Sequence, residues 1–187
     1  AAMFRDQINA LKQMQAQQFV SGRQLDIDFI ALSEEQDQAC VQVVSVRGGR
    51  NLGQRNYFPS QTEGYSSGEV LEAFLGQFFQ KRHPPADIVL SHTLENEALM
   101  ESVFSATAGH KVRIQSHPRG QRRKMLESAA RNARQALQMR LAGKANMSAQ
   151  FEDLQASLEL DEPPGSVECF DISHTAGNQT VGSCVVF

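Results

Sequence analysis

Asp171 is the acidic residue whose position in the sequence is most typical of a metal site. It lies in the middle of the strand-like run 168–174. Alternation along a strand sends Asp171, together with Cys169 and Ser173, to the face opposite its two apolar neighbours. A carboxylate on a rigid strand lowers stability unless a partner compensates it. A divalent cation is one such partner, because hard cations prefer carboxylate oxygens, and a bound cation can activate water against a phosphodiester.

Two neighbours of Asp171 could also do chemistry. His174 ends the same run, and its favoured interpretation is a turn or edge histidine. A Cys169–His174 nucleophile pair is disfavoured, because five residues of extended strand separate the two side chains and no third orienting group is evident. Cys40, Cys169 and Cys184 lack metal-ligand spacing. Each is predicted to be a small core residue in a reducing compartment, with a reactive or metal-binding thiol as the alternative.

A block of positive charge between His110 and Lys144 is the second candidate for chemistry. It holds ten Lys or Arg and one acid, so its net charge is +9 and the rest of the chain carries −12. Ion pairing within the block is therefore not expected, although acidic segments elsewhere could neutralise it. Cations at a helix entrance and along one helix side bind phosphate without sequence preference, and we predict DNA contact. The predicted DNA-binding residues are Arg119, Arg122, Arg123, Lys124, Arg131 and Arg134. The alternative is a solvated helix face.

The composition is that of an ordinary globular protein. Of the 187 residues 41% are hydrophobic and 21% charged, and the net charge is −3. No run approaches the roughly 18 apolar residues that a membrane span needs, and the first residues lack a signal-peptide pattern. A small-molecule enzyme has little support, because neither a glycine-rich phosphate loop nor a nucleophile with its base is present.

Hydrophobic periodicity predicts the elements that position these residues. An N-terminal helix over Ala2–Gln18 precedes three strands, at Leu25–Leu32, Ala39–Arg47 and Asn51–Phe58, which form an antiparallel meander. A helix capped by Ser66 or Ser67 follows.

The second half of this region alternates strands and helices. Asp87–Leu90 is a strand, and the helix after it is predicted to turn Leu99, Val103 and Phe104 inward. Lys111–Gln115 is a strand, and a long helix runs to about Ala142. The order βββαβαβα is that of an α/β, ribonuclease H-like mixed sheet flanked by helices, with a generic α/β sandwich as the alternative.

The chain after this domain changes character. Residues 144–165 are polar, end in Pro163–Pro164–Gly165, and are interpreted as a linker that includes a helix or packing strap. Residues 166–187 are predicted to be the opening hairpin of a second domain, amputated at Phe187.

Three stretches carry a resemblance to a known family. SVECFDISHTAGNQTVGSCVVF closely resembles the start of the endonuclease domain of UvrC, whose hallmark begins ECFDISH. FRDQI resembles the end of the family's UVR motif, and HPRGQRRKMLESAARNA is similar to its PRG…NA stretch. The resemblance implies an internal piece, without the GIY-YIG nuclease, the cysteine-rich segment, most of the nuclease domain and the helix–hairpin–helix pair.

The resemblance implies a function in nucleotide-excision repair. Asp171 would be the first catalytic carboxylate and a ligand of Mg²⁺ or Mn²⁺ in the complete protein, whereas this segment alone is expected to bind no metal and to be inactive. Phe4, Arg5 and Ile8 would belong to the helical hairpin that meets UvrB. Double-stranded DNA is the other implied partner, and the cytoplasm the implied location. A non-catalytic interaction module is the alternative.

The implied organisation has four parts. Residues 1–20 are a helix resembling half of the UVR motif, 21–143 a non-catalytic ribonuclease H-like domain, 144–165 the linker and 166–187 the first nuclease hairpin. A gap-free offset of 141 lays residues 26–46 over 167–187 and puts Ile30 in the place of Asp171. The hypothesis is a duplicated fold whose first copy has lost its metal ligand.

Overall fold

A computed structural model describes residues 25–175 and 178–186 of the chain. Its strands are β1 (Ile27–Glu35), β2 (Gln38–Arg47), β3 (Arg50–Tyr57), β4 (Asp87–Leu90), β5 (Arg113–Gln115), β6 (Glu168–Thr175) and β7 (Asn178–Val186). Its helices are α1 (Ser67–Phe79), α2 (Glu97–Ala108) and α3 (Gly120–Leu158). The described residues fall into two compact units that divide between Met139 and Arg140, within α3.

The first unit is built on a five-stranded mixed sheet in the order β3-β2-β1-β4-β5. β1 pairs antiparallel with β2, and β2 with β3, whereas β4 pairs parallel with both β1 and β5. The predicted order βββαβαβα is confirmed, and with it the α/β, ribonuclease H-like fold class. Short connections impose the antiparallel pairs, and each crossover helix makes a parallel one possible.

Period-two alternation in β1 divides the core into two layers. Ile30 and Leu32 point to the face covered by α1 and α2, whereas Phe29 and Ala31 point to the face covered by α3. β1 is central and buried on both faces, which explains why its sequence is almost continuously apolar.

Helix α1 begins with a capping box. The backbone N–H of Glu69 donates to Ser66 Oγ at 3.3 Å, and the backbone N–H of Ser66 donates to Glu69 Oε2 at 2.8 Å. Two hydrogen bonds with Ser66 lower the pKa of the Glu69 carboxyl group. The larger effect comes from the backbone N–H of Ser66 and the smaller from its side chain. The predicted cap at Ser66 is confirmed.

The predicted inward face of α2 is largely wrong. Leu99 and Val103 are exposed, whereas Phe104 is buried and Met100 and Ala108 pack against the core beside it. The apolar stripe therefore runs at four-residue spacing from Met100, one residue later than Leu99. The helix begins at Glu97, because the carboxylate of Glu72 in α1 accepts from the Asn96 backbone and side chain.

Helix α3 extends beyond its predicted end near Ala142 to Leu158. Its buried residues are Leu126, Ala129, Ala133 and Leu137, which recur at the three- and four-residue spacing of one helix face. Polar residues after Ala142 do not end a helix by themselves, because Lys, Gln, Met and Ala all have high helix propensity. Within the described residues no helix is long and apolar enough to cross a membrane.

Gly68 packs closely against the segment that leads into α2. A methyl group there would lie 2.7 Å from the backbone oxygen of Thr93, so that one of the two backbones would have to shift. We expect Gly68→Ala to lower the free energy of unfolding by about 1–3 kcal/mol through overpacking. Gly76→Ala is the matched control on the same helix, since open space surrounds Gly76 and alanine favours the helix by up to about 1 kcal/mol. Urea unfolding measures both, and equal stability of the two variants would contradict this packing.

Candidate functional site

Asp171 lies in a two-stranded antiparallel sheet, β6–β7, that is separate from the five-stranded one. It pairs with Ser183, and Ser173 Oγ donates to Asp171 Oδ2 at 3.2 Å, so the predicted sharing of a face by Asp171 and Ser173 is confirmed. The Asp171 side chain is exposed, and among the described residues it forms no ion pair.

Both faces of this two-stranded sheet carry exposed apolar side chains. Phe170 is 64% and Ile172 63% exposed on one face, and Val181 and Val185 are exposed on the face of Asp171. The prediction that each cysteine is a core residue is therefore right for Cys40, which is buried, and wrong for Cys169 and Cys184, which are exposed. An apolar strand pattern indicates burial only if another layer covers the sheet.

The donor chemistry at Asp171 suits a hard divalent cation. A carboxylate and a neighbouring hydroxyl on one strand face offer oxygen ligands, which Mg²⁺ and Mn²⁺ prefer. Over residues 25–175 and 178–186, however, no three His, Cys, Asp or Glu side chains group as a metal site would require. Among the described residues, Asp171 is therefore a candidate ligand outside any group of three. The side chain of His174 lies outside the described residues.

Two of the predicted DNA-binding cations already have acidic partners. Arg122 Nη2 lies 2.8 Å from Asp87 Oδ2, which ties the first turn of α3 to the start of β4. Arg123 Nε lies 2.8 Å from Glu127 Oε1, one helical turn further on. The expectation that the block cannot pair internally is therefore wrong at Glu127, and Asp87 shows that a distant acid also neutralises part of it.

The other four cations of the set are exposed: Arg119, Lys124, Arg131 and Arg134. Within the part of the chain that the structure describes, none of them has an ion-pair partner. At 100° per residue, Lys124 and Arg131 point away from the buried Leu126 and Ala133, so they project outward from α3. We call Lys124, Arg131 and Arg134 the α3 stripe.

On the face of the five-stranded sheet opposite α3 lies a buried ion pair that was not predicted from the sequence. Asp28, in β1, is 1% exposed, and its two carboxylate oxygens accept from Arg47 Nη1 at 2.7 Å and Nη2 at 3.0 Å. Arg47 Nη1 also donates to the backbone oxygens of Ile27 and Val46. An aspartate inside an otherwise apolar strand was the sequence signal, because such a group must be compensated.

Comparison with known proteins decides the family. The family described as "UvrC Ribonuclease H-like domain" matches residues 26–140, and the family described as "UvrC RNAse H endonuclease domain" matches residues 155–187. The chain belongs to the UvrC family. The UvrABC system protein C of Methylococcus capsulatus and that of Yersinia enterocolitica are each 44% identical over the whole chain, and that of Xanthomonas oryzae is 42% identical.

The chain spans 31% of the length of the first two of these UvrC relatives and 30% of the third. A solved Bacteroides thetaiotaomicron protein with an actin-like ATPase fold is similar to 63% of the chain, at 13% identity and a TM-score of 0.30. Phe4, Arg5 and Ile8, predicted to meet a partner, lie outside the described residues.

Strand register corrects the proposed overlay of the two UvrC hairpins. In one hairpin Glu35 pairs with Gln38 and Ile30 with Val43; in the other Thr175 pairs with Asn178 and Asp171 with Ser183. Aligning the turns puts the first strands at an offset of 140, so that Ala31, and not Ile30, takes the position of Asp171. An extra residue in β7, opposite the step from Ser173 to Thr175, returns the second strands to the offset of 141. Of the three identities in the gap-free overlay, Val44 with Val185 remains structurally equivalent, whereas Phe29 with Phe170 and Gln38 with Gln179 do not.

The remaining correspondence bears on metal binding by the first unit. Neither Ala31 nor Ile30 can be a metal ligand, and Asp28, the residue before Ile30 on the same face of β1, is held by Arg47.

Proposed function

We propose that this chain is the central part of a nucleotide-excision-repair endonuclease subunit that incises damaged DNA. The observation that carries the proposal is the position of Asp171: an exposed carboxylate on its own hairpin, inside the segment that matches the UvrC endonuclease domain. In this proposal residues 21–143 are a non-catalytic scaffold, 144–165 a linker and 166–187 the beginning of the nuclease.

Asp171 is the proposed first ligand of a divalent cation, Mg²⁺ or Mn²⁺. The bound cation would supply Lewis-acid activation of water against a DNA phosphodiester. Asp171 would hold the cation from a rigid strand, and the Ser173 hydroxyl would orient the carboxylate through the hydrogen bond to Oδ2. Since no group of three candidate ligands is found among the described residues, further ligands would come from other residues of the complete protein.

The α3 stripe is the proposed DNA contact, with Arg119 at the helix entrance. Exposed cations without acidic partners bind phosphate by releasing counterions, and they do so irrespective of base sequence. An enzyme that must act at lesions in any sequence needs this kind of affinity. We assign Arg122 and Arg123 a lesser part in binding, because Asp87 and Glu127 already hold them.

The wider setting of the proposal follows from the family. The partner on DNA would be UvrB, met through the region of Phe4, Arg5 and Ile8, and the protein would act in the cytoplasm. The rival function is that of an interaction module with no part in cleavage. For the first unit taken alone this function is favoured, because no group of three metal ligands is found among the described residues.

Incision assays separate these two functions. We expect a full-length UvrC protein carrying this segment, together with its partner proteins, to incise lesion-containing duplex when Mg²⁺ is present. The 187-residue chain alone should leave the same duplex intact, since its described residues hold no group of three candidate metal ligands. Mg²⁺-independent incision by the full-length protein would contradict the proposed chemistry.

The α3 stripe predicts salt-dependent binding of duplex DNA. Changing Lys124, Arg131 and Arg134 together to glutamine should weaken binding about tenfold or more at low salt, and lower the slope of log K against log salt by about 2 to 3. Fluorescence anisotropy with a labelled duplex measures both quantities.

The control for this triple variant removes the same charge elsewhere. Arg50, Lys81 and Lys111 are exposed and lie outside the stripe, so their combined change to glutamine should alter affinity less than threefold. Equal losses in the two triple variants would show that net charge, and not the stripe, binds the duplex.

A further inference from the structure

The face of the sheet opposite α3 carries a cavity rich in positive charge. It has a volume of about 350 Å³ and lies between the β2–β3 edge of the sheet and the end of α1. Its cationic walls are Arg47, Arg55 and Arg82, His83 lines it beside them, and the acid among its lining residues is Asp28. The carboxylate of Asp28 is already bonded to Arg47. The other two arginines, Arg55 and Arg82, therefore give the cavity a net positive charge.

Two of these cations are held in place. Arg47 is fixed by the carboxylate of Asp28 and by two backbone oxygens. The guanidinium of Arg82 lies 4.3 Å from the centre of the Phe78 ring, and its Nη1 donates to the Phe78 oxygen. A cation above an aromatic face is attracted to it, and this attraction orders the arginine before any ligand arrives. Ordered arginines lose less entropy when they bind phosphate.

The backbone leaves room at the mouth of the cavity. Gly53 lines it with φ +126°, next to Leu52, the extra residue of β3 opposite the step from Ser45 to Val46, and open space surrounds the position of its missing Cβ. Arg55, two residues further along this edge strand, is exposed and lies on the cavity side. A ligand can therefore approach the strand closely.

An aromatic groove lies next to the cationic cavity. It has a volume of about 640 Å³, and Tyr57 lines both hollows. Tyr57 packs at 5.4 Å from Phe74, which also lines the groove, and Tyr65 stands at its rim with 61% exposure. Exposed tyrosines beside a cationic channel are the combination that binds single strands, because phosphates pair with the arginines while bases stack on the rings.

We infer that this face binds a short stretch of single-stranded nucleic acid, with a phosphate in the Arg47–Arg55–Arg82 cavity and a base against Tyr65 in the groove. The site goes beyond the proposed duplex contact, because it lies on the other face of the sheet from the α3 stripe and has an aromatic component that the stripe lacks. A duplex keeps its bases stacked internally, so only an unpaired strand can use both parts.

The test is binding of labelled oligo(dT) to the 187-residue chain, followed by fluorescence anisotropy. Arg55→Gln should weaken binding about threefold to tenfold and lower the salt slope by about 0.7. Arg50→Gln, an equally exposed change on the same strand but outside the cavity, should change affinity less than twofold. Arg55 is chosen over Arg82 because its exposed side chain can be shortened without removing a contact to Phe78.

A second variant tests the aromatic part. Tyr65→Ala should weaken oligo(dT) binding about fivefold or more, yet leave binding of an abasic sugar–phosphate strand unchanged. An equal loss of affinity for oligo(dT) and for the abasic strand would contradict the stacking of a base on Tyr65. Inorganic phosphate and an abasic strand can each be used to displace bound oligo(dT). If both displace it at the same concentration, the cavity is a site for free phosphate, and strand binding is overturned.

The proposed duplex site and the proposed single-strand site can be contradicted independently of each other. If the α3 stripe variant loses duplex affinity but keeps oligo(dT) affinity, while Arg55→Gln does the reverse, both sites stand. If Arg55→Gln and Tyr65→Ala bind oligo(dT) as the unchanged chain does, the cavity is not a strand site, whatever the duplex result. If Arg50→Gln loses as much as Arg55→Gln, general charge attraction explains the binding and the inference is overturned.

Discussion

Asp171→Asn in a full-length UvrC protein that carries this segment should reduce the rate of incision by roughly a thousandfold or more, without weakening DNA binding. The carboxylate is the proposed cation ligand, and a neutral amide of the same shape holds a divalent cation poorly. Losses of this size are typical when a group acts on the reacting centre itself.

The Asp171 variant has a matched control in the same unit. Asp153 is exposed on α3, and Asp153→Asn removes the same charge without touching the hairpin, so it should leave incision within about twofold. Gel-resolved incision of a lesion-containing duplex gives the rate, and anisotropy gives the affinity. Wild-type incision by Asp171→Asn would remove the residue from the mechanism, and parallel loss of incision and binding would point to misfolding of the hairpin.

Arg47→Met should be among the most destabilising single changes in the five-stranded unit, at about 3 kcal/mol of unfolding free energy. The change leaves the carboxylate of Asp28, 1% exposed, without the guanidinium that now bonds both of its oxygens. Losing one partner of a buried pair costs about 3–5 kcal/mol, and we expect the lower end because the Arg47 side chain is 32% exposed and water can reach the site.

A double variant shows whether the unpaired charge is the cause. Asp28→Val combined with Arg47→Met removes both charges and should recover most of the lost stability, because apolar replacement of a buried pair is often neutral. Arg50→Met, at the neighbouring exposed position, should cost less than about 0.5 kcal/mol. Guanidinium unfolding measures all three. A double variant no more stable than Arg47→Met alone would mean that the arginine acts through packing, not through Asp28.

The stability of this pair matters for the inferred single-strand site. Arg47 forms one wall of the cavity, and its guanidinium is held by the same carboxylate that neutralises it. Arg55 and Arg82 would therefore provide the net attraction for phosphate, while the Asp28–Arg47 pair provides shape. Variants of Arg55 are the cleaner probe of binding, and variants of Arg47 the cleaner probe of folding.

Asp171 could be singled out from the sequence because its strand alternation and its resemblance to the UvrC family both lie within a short run of residues. Asp171 lies in a seven-residue strand pattern, and alternation alone placed it with Ser173, with which it now forms a hydrogen bond. The same local reasoning failed for Cys169 and Cys184, since whether a strand face is covered depends on a second layer that alternation does not encode. It failed for Leu99 because a shift of one residue in the phase of a helix turns a side chain by about 100°.

Local patterns in the sequence were sufficient for the order of strands and helices, the class of sheet and the positive block, because turns, alternation and helical spacing act over a few residues. Only the tertiary structure decided which charges remain available. Arg122 meets Asp87 from 35 positions away, and Arg47 meets Asp28 from 19. These pairings depend on strand register and on where a helix crosses the sheet, both of which result from packing of the whole unit.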